Sequence, residues 1–422
     1  MKISIIGCGY VGTVTGVCFA DLGNDIVFYD IDMEKLGLLS QGKSPIYERS
    51  LGDLIQKNRR RLTTTSDLAA AVRNTDTSFV CVGTPSRDDG SIDLTYVLSA
   101  ANAIGRALRE VRDFHTIIIK STVFPGSTEG PIRSALEEVS GKQAFMDFGL
   151  GSNPEFLREG SAVYDFSVPD RIVFGTRDAR TTQALGDLYA SFTCPKIETS
   201  IRTAEMIKYA SNAFLATKIS FANEIGNLAK KLGINSEEVF SGVGLDHRIN
   251  PAFFRTGIGF GGSCFPKDVR ALIAGARNHG EDLQILHAAL RVNEDQPLKL
   301  VRLLQEHIPD LKGRRIGVLG LAFKPNTDDV RESRAIPVIR ALLTAGADVV
   351  AYDPLAMENF ATFFPEIEYA SSAEIVLAAD AVLITTEWEE FEHLNYSGKT
   401  VIDGRKVIAA SKTAKVYEGV CW

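Results

Sequence analysis

At 422 residues, 45% hydrophobic and 23% charged, the chain has the composition of a soluble globular protein but is too long for one ordinary core, so two or three domains are expected. A net charge of −7 and a pI near 5.6 exclude the basic face of a nucleic-acid binder, and an anionic substrate would need local Lys and Arg clusters. No apolar run reaches membrane-span length, Met1-Lys2 enters a strand with no signal-peptide pattern, and the cysteines at 8, 18, 81, 194, 264 and 421 lack metal-ligand spacing, so a cytoplasmic, metal-free protein is expected.

The first part alternates strand and helix. Lys2 to Ile6 reads as a buried strand, with a helix from about Val11 and a second strand from Asp25 to Tyr29. Ser78 to Val82, Thr116 to Lys120 and Arg171 to Gly175 continue the series. Such alternation predicts a parallel sheet covered by helices. From Ser200 to about Leu232 the pattern becomes one long helix, with Ala204, Ile207, Ser211, Leu215 and Ile219 at helical spacing. The stretch through Arg291 reads as helical apart from a glycine-rich loop at 257–262. A second α/β series follows, with strands at Arg315–Leu319, Asp348–Tyr352, Ala381–Thr385 and Thr400–Ile402. Ile-Ser-Ile-Ile-Gly and Val-Phe-Tyr-Asp near the start are echoed by Ile-Gly-Val-Leu-Gly and Val-Ala-Tyr-Asp here. The expected architecture is α/β: two Rossmann-like doubly wound domains joined by a long central helix and a helical middle. The boundaries fall at 1–198, 199–295 and 296–422.

Gly7-Cys8-Gly9-Tyr10-Val11-Gly12 lies between a strand and a helix. Gly7 suits the tight turn, Gly9 the approach of a pyrophosphate and Gly12 the packing of helix on strand. Asp30 ends the second strand, where an acid can bond ribose hydroxyls and repel a 2′-phosphate, so NAD is the expected cofactor. Lys35 could reach the same ribose or lie on a solvated helix face. Thr84 and Thr122 follow strands, where ligands bind in this fold, although helix caps would look the same. Glu155 follows an apolar strand and could act as base, orient a water or sit in solvent. Lys208 and Asn212 are four apart on the long helix and share a face, suited to an oxyanion and a hydroxyl or to a plain polar stripe.

Cys264 stands in Gly259-Phe260-Gly261-Gly262-Ser263-Cys264-Phe265-Pro266-Lys267-Asp268. Glycines leave the thiol accessible, Lys267 is close enough in sequence to favour a thiolate, and Asp268 could move protons. Beside a nicotinamide such a thiol can hold an aldehyde while a second hydride leaves. Arg248, Arg255 and Lys324 could serve a diphosphate or be surface charges. Cys8, Cys18 and Cys81 read as small buried hydrophobes.

Taken together, GCGYVG with Asp30, CVGTP, KSTV, NPEFLREG, the Lys208/Asn212 helix, GFGGSCFPKD and GLAFKPNTDDVRES resemble the nucleotide-sugar dehydrogenase family over essentially the whole chain. The resemblance implies four-electron, NAD-dependent oxidation of a UDP-sugar to its acid. Cys264 would carry a thiohemiacetal and then a thioester, and Lys208 and Asn212 would stabilise the oxyanion. Asp268 and Thr122 would manage water and protons, and Glu155 would assist hydrolysis. Gly7, Gly9, Tyr10, Val11, Gly12, Asp30, Lys35, Thr84, Thr122 and Arg331 would hold NAD. The substrate would meet Glu155, Phe156, Leu157, Arg158, Glu159, Lys208 and Asn212. Phe253, Phe254, Arg255, Gly259, Phe323 and Lys324 would complete its site. Arg248 resembles an arginine that reaches a partner's substrate, and the long helix resembles a dimer core, so a homodimer is implied. The Gly257-Ile258-Gly259-Phe260 lead-in favours UDP-glucose over GDP-mannose, and a catalytically silent NAD-binding regulator is the alternative of another class. Two positions depart from the family: Arg49-Ser50 follow Glu48 where Pro-Gly is usual, and Phe124-Pro125-Gly126-Ser127 stand where Pro-Val-Gly-Thr is commoner.

Overall fold

The computed structural model describes residues 1–422, which divide into two compact units, Met1–Ser211 and Asn212–Trp422. The first unit is built on eight strands: β1 Lys2–Ile6, β2 Asp25–Tyr29, β3 Leu62–Thr65, β4 Thr77–Val80, β5 Thr116–Ile119, β6 Gly149–Ser152, β7 Ile172–Gly175 and β8 Lys196–Thr199. Their order is β3-β2-β1-β4-β5-β6-β7-β8. All neighbours are parallel except β6 and β7. The order reverses at the β1/β4 junction, where Ile3 pairs with both Ile26 and Thr77, so a ligand crevice is expected beyond the carboxyl ends of these two strands.

Side chains alternate across a strand, and here both faces are covered. Ile5 packs with Val14, Phe19, Phe28 and Phe79 on one side. Its neighbour Ile6 packs with Val80, Val97, Ile104 and Ile117 on the other. Each such isoleucine contributes about 1.5–3 kcal/mol through burial.

In the second unit, β9 Arg315–Leu319, β10 Asp348–Tyr352, β11 Glu368–Tyr369, β12 Ala381–Ile384, β13 Thr400–Asp403 and β14 Val416–Gly419 form a sheet of order β11-β10-β9-β12-β13-β14. Every pairing is parallel. This is the same doubly wound order as the first six strands of the first unit. Its core gathers Val318, Val338, Leu342, Val350, Phe360 and Leu383.

The helix Ile201–Lys231 is about 46 Å long at the usual rise and carries the point at which the units divide. Helices Ser236–Gly244, Phe265–Arg277 and Gln284–His307 follow. The non-helical stretch between the first two runs over 245–264, longer than the glycine run expected from sequence. Pro251 and two left-handed residues, Asn250 and Phe253, both with φ of 66°, are incompatible with a continuing helix.

Candidate active site

The first unit presents a nucleotide turn. Gly7 has φ of 101°, a region L side chains avoid, and its N–H donates to the Tyr29 carbonyl at 2.8 Å. A Cβ on Gly12 would sit 1.9 Å from the Gly7 oxygen, whereas one on Gly9 would meet nothing within 4 Å. The third glycine therefore packs the helix Tyr10–Asp21 against the turn, and the second leaves the turn open to a pyrophosphate at the helix N-terminus. Asp30 is half-buried. One oxygen accepts the Cys8 N–H at 2.5 Å and the other the Asp32 N–H at 2.9 Å, which aims the carboxylate along the turn. The residues present thus fit a dinucleotide. Lys35 pairs with Asp32 at 3.4 Å rather than with Asp30.

Loops after β4 and β5 carry Thr84 and Thr122. Ser121 ties them, donating to the Val82 carbonyl at 2.6 Å. Cys81 is buried, which pushes its thiol up to about 12, and burial likewise raises Cys8 and Cys18. These three are inert packing groups, as expected.

Glu155 and Lys208 form a buried ion pair. The ammonium donates to Oε1 at 2.8 Å, with the side chains 6% and 4% exposed. Burial alone would raise the carboxyl, and it is the largest single influence. The charge and hydrogen bond of Lys208, the Leu157 N–H at 2.5 Å and the charge of Lys120 together outweigh it, and the net direction is down. Glu155 is therefore a carboxylate at neutral pH. Phe156 lies 3.9 Å beneath the Arg171 guanidinium and 5.6 Å from the Lys208 ammonium. Arg158 grips Asp165 with its guanidinium at 2.6 and 3.1 Å and with its backbone N–H at 2.9 Å, which fixes the loop that also carries Leu157 and Glu159.

Two groups here escape the sequence reading. Lys120 is buried and donates to Asn153 Oδ1 at 2.9 Å. Desolvation brings it down to about 8. It anchors the start of the Glu155 loop to the end of β5, and its position at the head of Lys-Ser-Thr-Val was the available signal. Glu205, three residues before Lys208, accepts the N–H groups of Gly126 at 2.6 Å and Thr128 at 3.1 Å. Burial raises its carboxyl. It holds the loop that follows Thr122.

The second unit holds the thiol. Cys264 is the N-cap of the helix Phe265–Arg277 and is partly exposed, a place where the helix dipole and free N–H groups favour a thiolate. Its carbonyl accepts the Asp268 N–H at 2.8 Å, and Ser263 Oγ lies 3.6 Å from the sulfur. The Lys267 ammonium pairs with Asp268 at 2.5 Å, a charge-assisted bond to a strong acceptor. Asp268 is 1% exposed and also accepts the Asn212 amide at 2.7 Å.

The glycines around Cys264 permit close packing. A Cβ on Gly262 would stand 2.7 Å from the Phe323 ring, and one on Gly261 would stand 2.3 Å from the Glu332 carbonyl. The Gly262 N–H donates to the Arg331 carbonyl at 3.0 Å, and the Asn293 amide brackets Phe260 from Gly259's side at 2.7 and 3.0 Å. The thiol loop is thereby moulded against the segment that carries Phe323, Lys324 and Arg331. The Lys324 ammonium lies 5.5 Å from the Phe323 ring. Arg331 is held by Asp329 at 2.7 Å, and Arg248 by Asp246 at 2.6 Å. Arg255 donates to Glu387 at 3.1 Å and to the Arg405 carbonyl at 2.5 Å. Phe254 is buried and stacked 5.1 Å from Phe240, whereas Phe253 meets Phe265 at 6.1 Å.

Three family profiles match the chain. They are the NAD binding domain of the UDP-glucose/GDP-mannose dehydrogenase family at residues 1–193, its central domain at 202–295 and its UDP binding domain at 317–410. Among similar proteins, a UDP-glucose 6-dehydrogenase of Haloferax volcanii is 48% identical, with 97% of each chain covered. A GDP-mannose 6-dehydrogenase of Pseudomonas aeruginosa is 38% identical over the whole of both chains. The solved structure of a UDP-glucose dehydrogenase from Pyrobaculum islandicum superposes with a TM-score of 0.97 at 47% identity, covering 100% of this chain and 98% of that one.

Proposed function

The chain belongs to the UDP-glucose/GDP-mannose dehydrogenase family, and from that premise we propose that it oxidises UDP-glucose to UDP-glucuronate in the four-electron course. The overall balance is one alcohol, two NAD and one water giving one carboxylate, two NADH and three protons. NAD, held by the Gly7–Gly12 turn with Asp30 toward its ribose, supplies the acceptor for both hydrides when bound. The observation that carries the reading is Cys264 at the N-terminus of the helix Phe265–Arg277, above the Asn212–Asp268–Lys267 chain.

The assignment of roles follows from these groups. The Cys264 thiolate adds to the aldehyde carbon, and the adduct's oxygen takes up a proton to give the thiohemiacetal. This retains the aldehyde while the cofactor is exchanged. The Lys208 ammonium stabilises negative charge on the reacting oxygen, and its partner Glu155 stays ionised to orient the hydrolytic water. Water then adds to the thioester carbon, the C–S bond breaks, and the thiolate leaves. Asp268, buried yet bonded to an ammonium and an amide, holds Asn212 in place and manages protons near the thiol. In this reading residues 1–198 bind NAD, 199–295 form the central domain and 296–422 bind the sugar nucleotide.

The preference for UDP-glucose is supported by the higher identity to UDP-glucose dehydrogenases than to the GDP-mannose enzyme. A homodimer is part of the proposal. Phe214, Phe221 and Leu228 are 65%, 49% and 54% exposed and recur every seven residues on one helix, the pattern of a helix face that meets another. The six cysteines, none in a disulfide, support a reducing, cytoplasmic setting, and no helix is long and apolar enough to cross a membrane.

The test is NADH yield from UDP-glucose, GDP-mannose and UDP-N-acetylglucosamine, each with NAD in excess. Two NADH per UDP-glucose, with little from the others, is the expected result. Activity on GDP-mannose alone would move the substrate assignment, and silence on all three would restore the regulator reading.

A further inference from the structure

Glu48 belongs to no group the mechanism uses, yet two distant segments meet on it. It is 7% exposed. Tyr10, the first residue of the helix Tyr10–Asp21, donates its hydroxyl to Glu48 Oε2. The Gly160 N–H reaches that same oxygen and the Tyr10 hydroxyl, each at 2.8 Å. Tyr10 stands in the pyrophosphate turn, and Gly160 closes the loop that opens with Glu155. These residues are 38, 112 and 150 apart in sequence, so the junction is a tertiary device rather than local turn chemistry.

Resting on the functional reading above, we propose that Glu48 is a positioning residue and that, with Tyr10, it couples the cofactor turn to the 155–160 loop. The physical path is short. The first N–H groups of a helix lack intrahelical partners and are the ones a pyrophosphate engages. An anion held there fixes the Tyr10 backbone, and with it the hydroxyl that Glu48 and Gly160 share. The far end of the loop is already pinned by Glu155 on Lys208, and its middle by Arg158 on Asp165. Fixing Gly160 therefore fixes both ends. An ordered loop binds the sugar nucleotide more tightly, and the sugar nucleotide in turn orders the turn for the cofactor by the same factor, as linkage requires.

The reaction gives this coupling a use. The cofactor must leave and be replaced while the substrate is still bound. A loop that slackens only partly on cofactor departure, because Lys208 and Asp165 keep their holds, retains the substrate through the exchange.

The test is calorimetric titration of UDP-glucose with and without saturating NADH, which binds without turnover, and the reciprocal titration, on the wild-type protein, Glu48→Gln and Tyr10→Phe. NADH affinity alone and the melting temperature are recorded for each. The wild type is expected to bind UDP-glucose about fivefold or more tightly with NADH present, with the same factor in reverse. Both variants are expected to lose most of that factor, and Glu48→Gln, which touches neither ligand, is expected to bind each ligand alone as the wild type does. A wild-type enzyme that turns over UDP-glucose but shows no coupling overturns the relay alone, as does coupling that survives in both variants. A wild-type protein that binds neither ligand overturns the functional reading and the relay together.

Discussion

The two Rossmann-like sheets begin alike and end differently. In both, the glycine after the first strand donates its N–H to the tyrosine that ends the second strand, Gly7 to Tyr29 and Gly320 to Tyr352, each at 2.8 Å. In both, an aspartate follows that tyrosine and accepts the N–H next to the glycine, Asp30 from Cys8 at 2.5 Å and Asp353 from Leu321 at 2.7 Å. There the likeness stops. Asp30 is half-buried and accepts one further N–H, from Asp32. Asp353 is fully buried and also accepts from Ala322, Leu355, Ala356 and the Trp388 indole. The helix follows the first glycine turn at Tyr10, but only at Ala335 in the second. The same strand order thus yields one glycine turn left open to a dinucleotide and one whose carboxylate is taken up by its own backbone and indole donors, in the domain that matches the UDP binding profile. What separates them is the occupancy of a single carboxylate, which shows why function has to be argued from the site and not the fold.

The largest expected effect breaks the comparison at its centre. Asp353→Ala leaves five donors, four of them buried, without their acceptor and should cost about 3–5 kcal/mol, read as a lowered urea midpoint. Asp30→Ala should change stability little and weaken NAD binding about tenfold or more, read by titration. Equal stability losses in the two variants would mean that both carboxylates are structural.

A second contrast lies in pH. Asp403, at the end of β13, is buried, and desolvation raises it to about 6 despite N–H donors from Val407, Arg405 and Lys406. The folded chain therefore holds this proton where the unfolded chain has lost it. The stability so gained is present below about pH 4 and is lost as pH rises through about 6, a change of roughly 3 kcal/mol for two pKa units. Glu155 in the first unit is shifted downward, so its contribution runs the other way and is lost on acidification. Subtracting the stability–pH curve of Asp403→Asn from that of the wild type should isolate the falling component between pH 4 and 6. A flat difference would refute it.

The smallest effect concerns backbone strain. Ser50 adopts φ of 65° at a position where the family usually has glycine. Ser50→Gly should stabilise the first unit by about 0.5–1 kcal/mol, measurable as a raised melting temperature without loss of activity.

Much of this was legible in the sequence because the signals are local. Lys2–Ile6 and Arg315–Leu319 read as strands since parallel strands buried on both faces are nearly continuous apolar runs. The fingerprint glycines could be given separate roles because each role is a contact within a few residues. The edge strands β3, Leu-Thr-Thr-Thr, and β8, Lys-Ile-Glu-Thr, carry no such apolar run and escape the reading. The candidate site was legible as a set of residue types, but not as pairings. The sequence set Lys267 near Cys264 but did not show its ion pair with Asp268. Lys120, Glu205 and Glu48 act on partners 33 to 112 residues away, and no periodicity reports contacts of that range.

The central claim is that Cys264 carries the sugar through its second oxidation. The direct measurement is UDP-glucuronate formation by Cys264→Ser with UDP-glucose and excess NAD, alongside UDP-glucose affinity by calorimetry. The account predicts affinity within about threefold of the wild type and no sustained release of acid. Steady acid production by the folded variant would contradict it, since the thiol would then have no part in the mechanism.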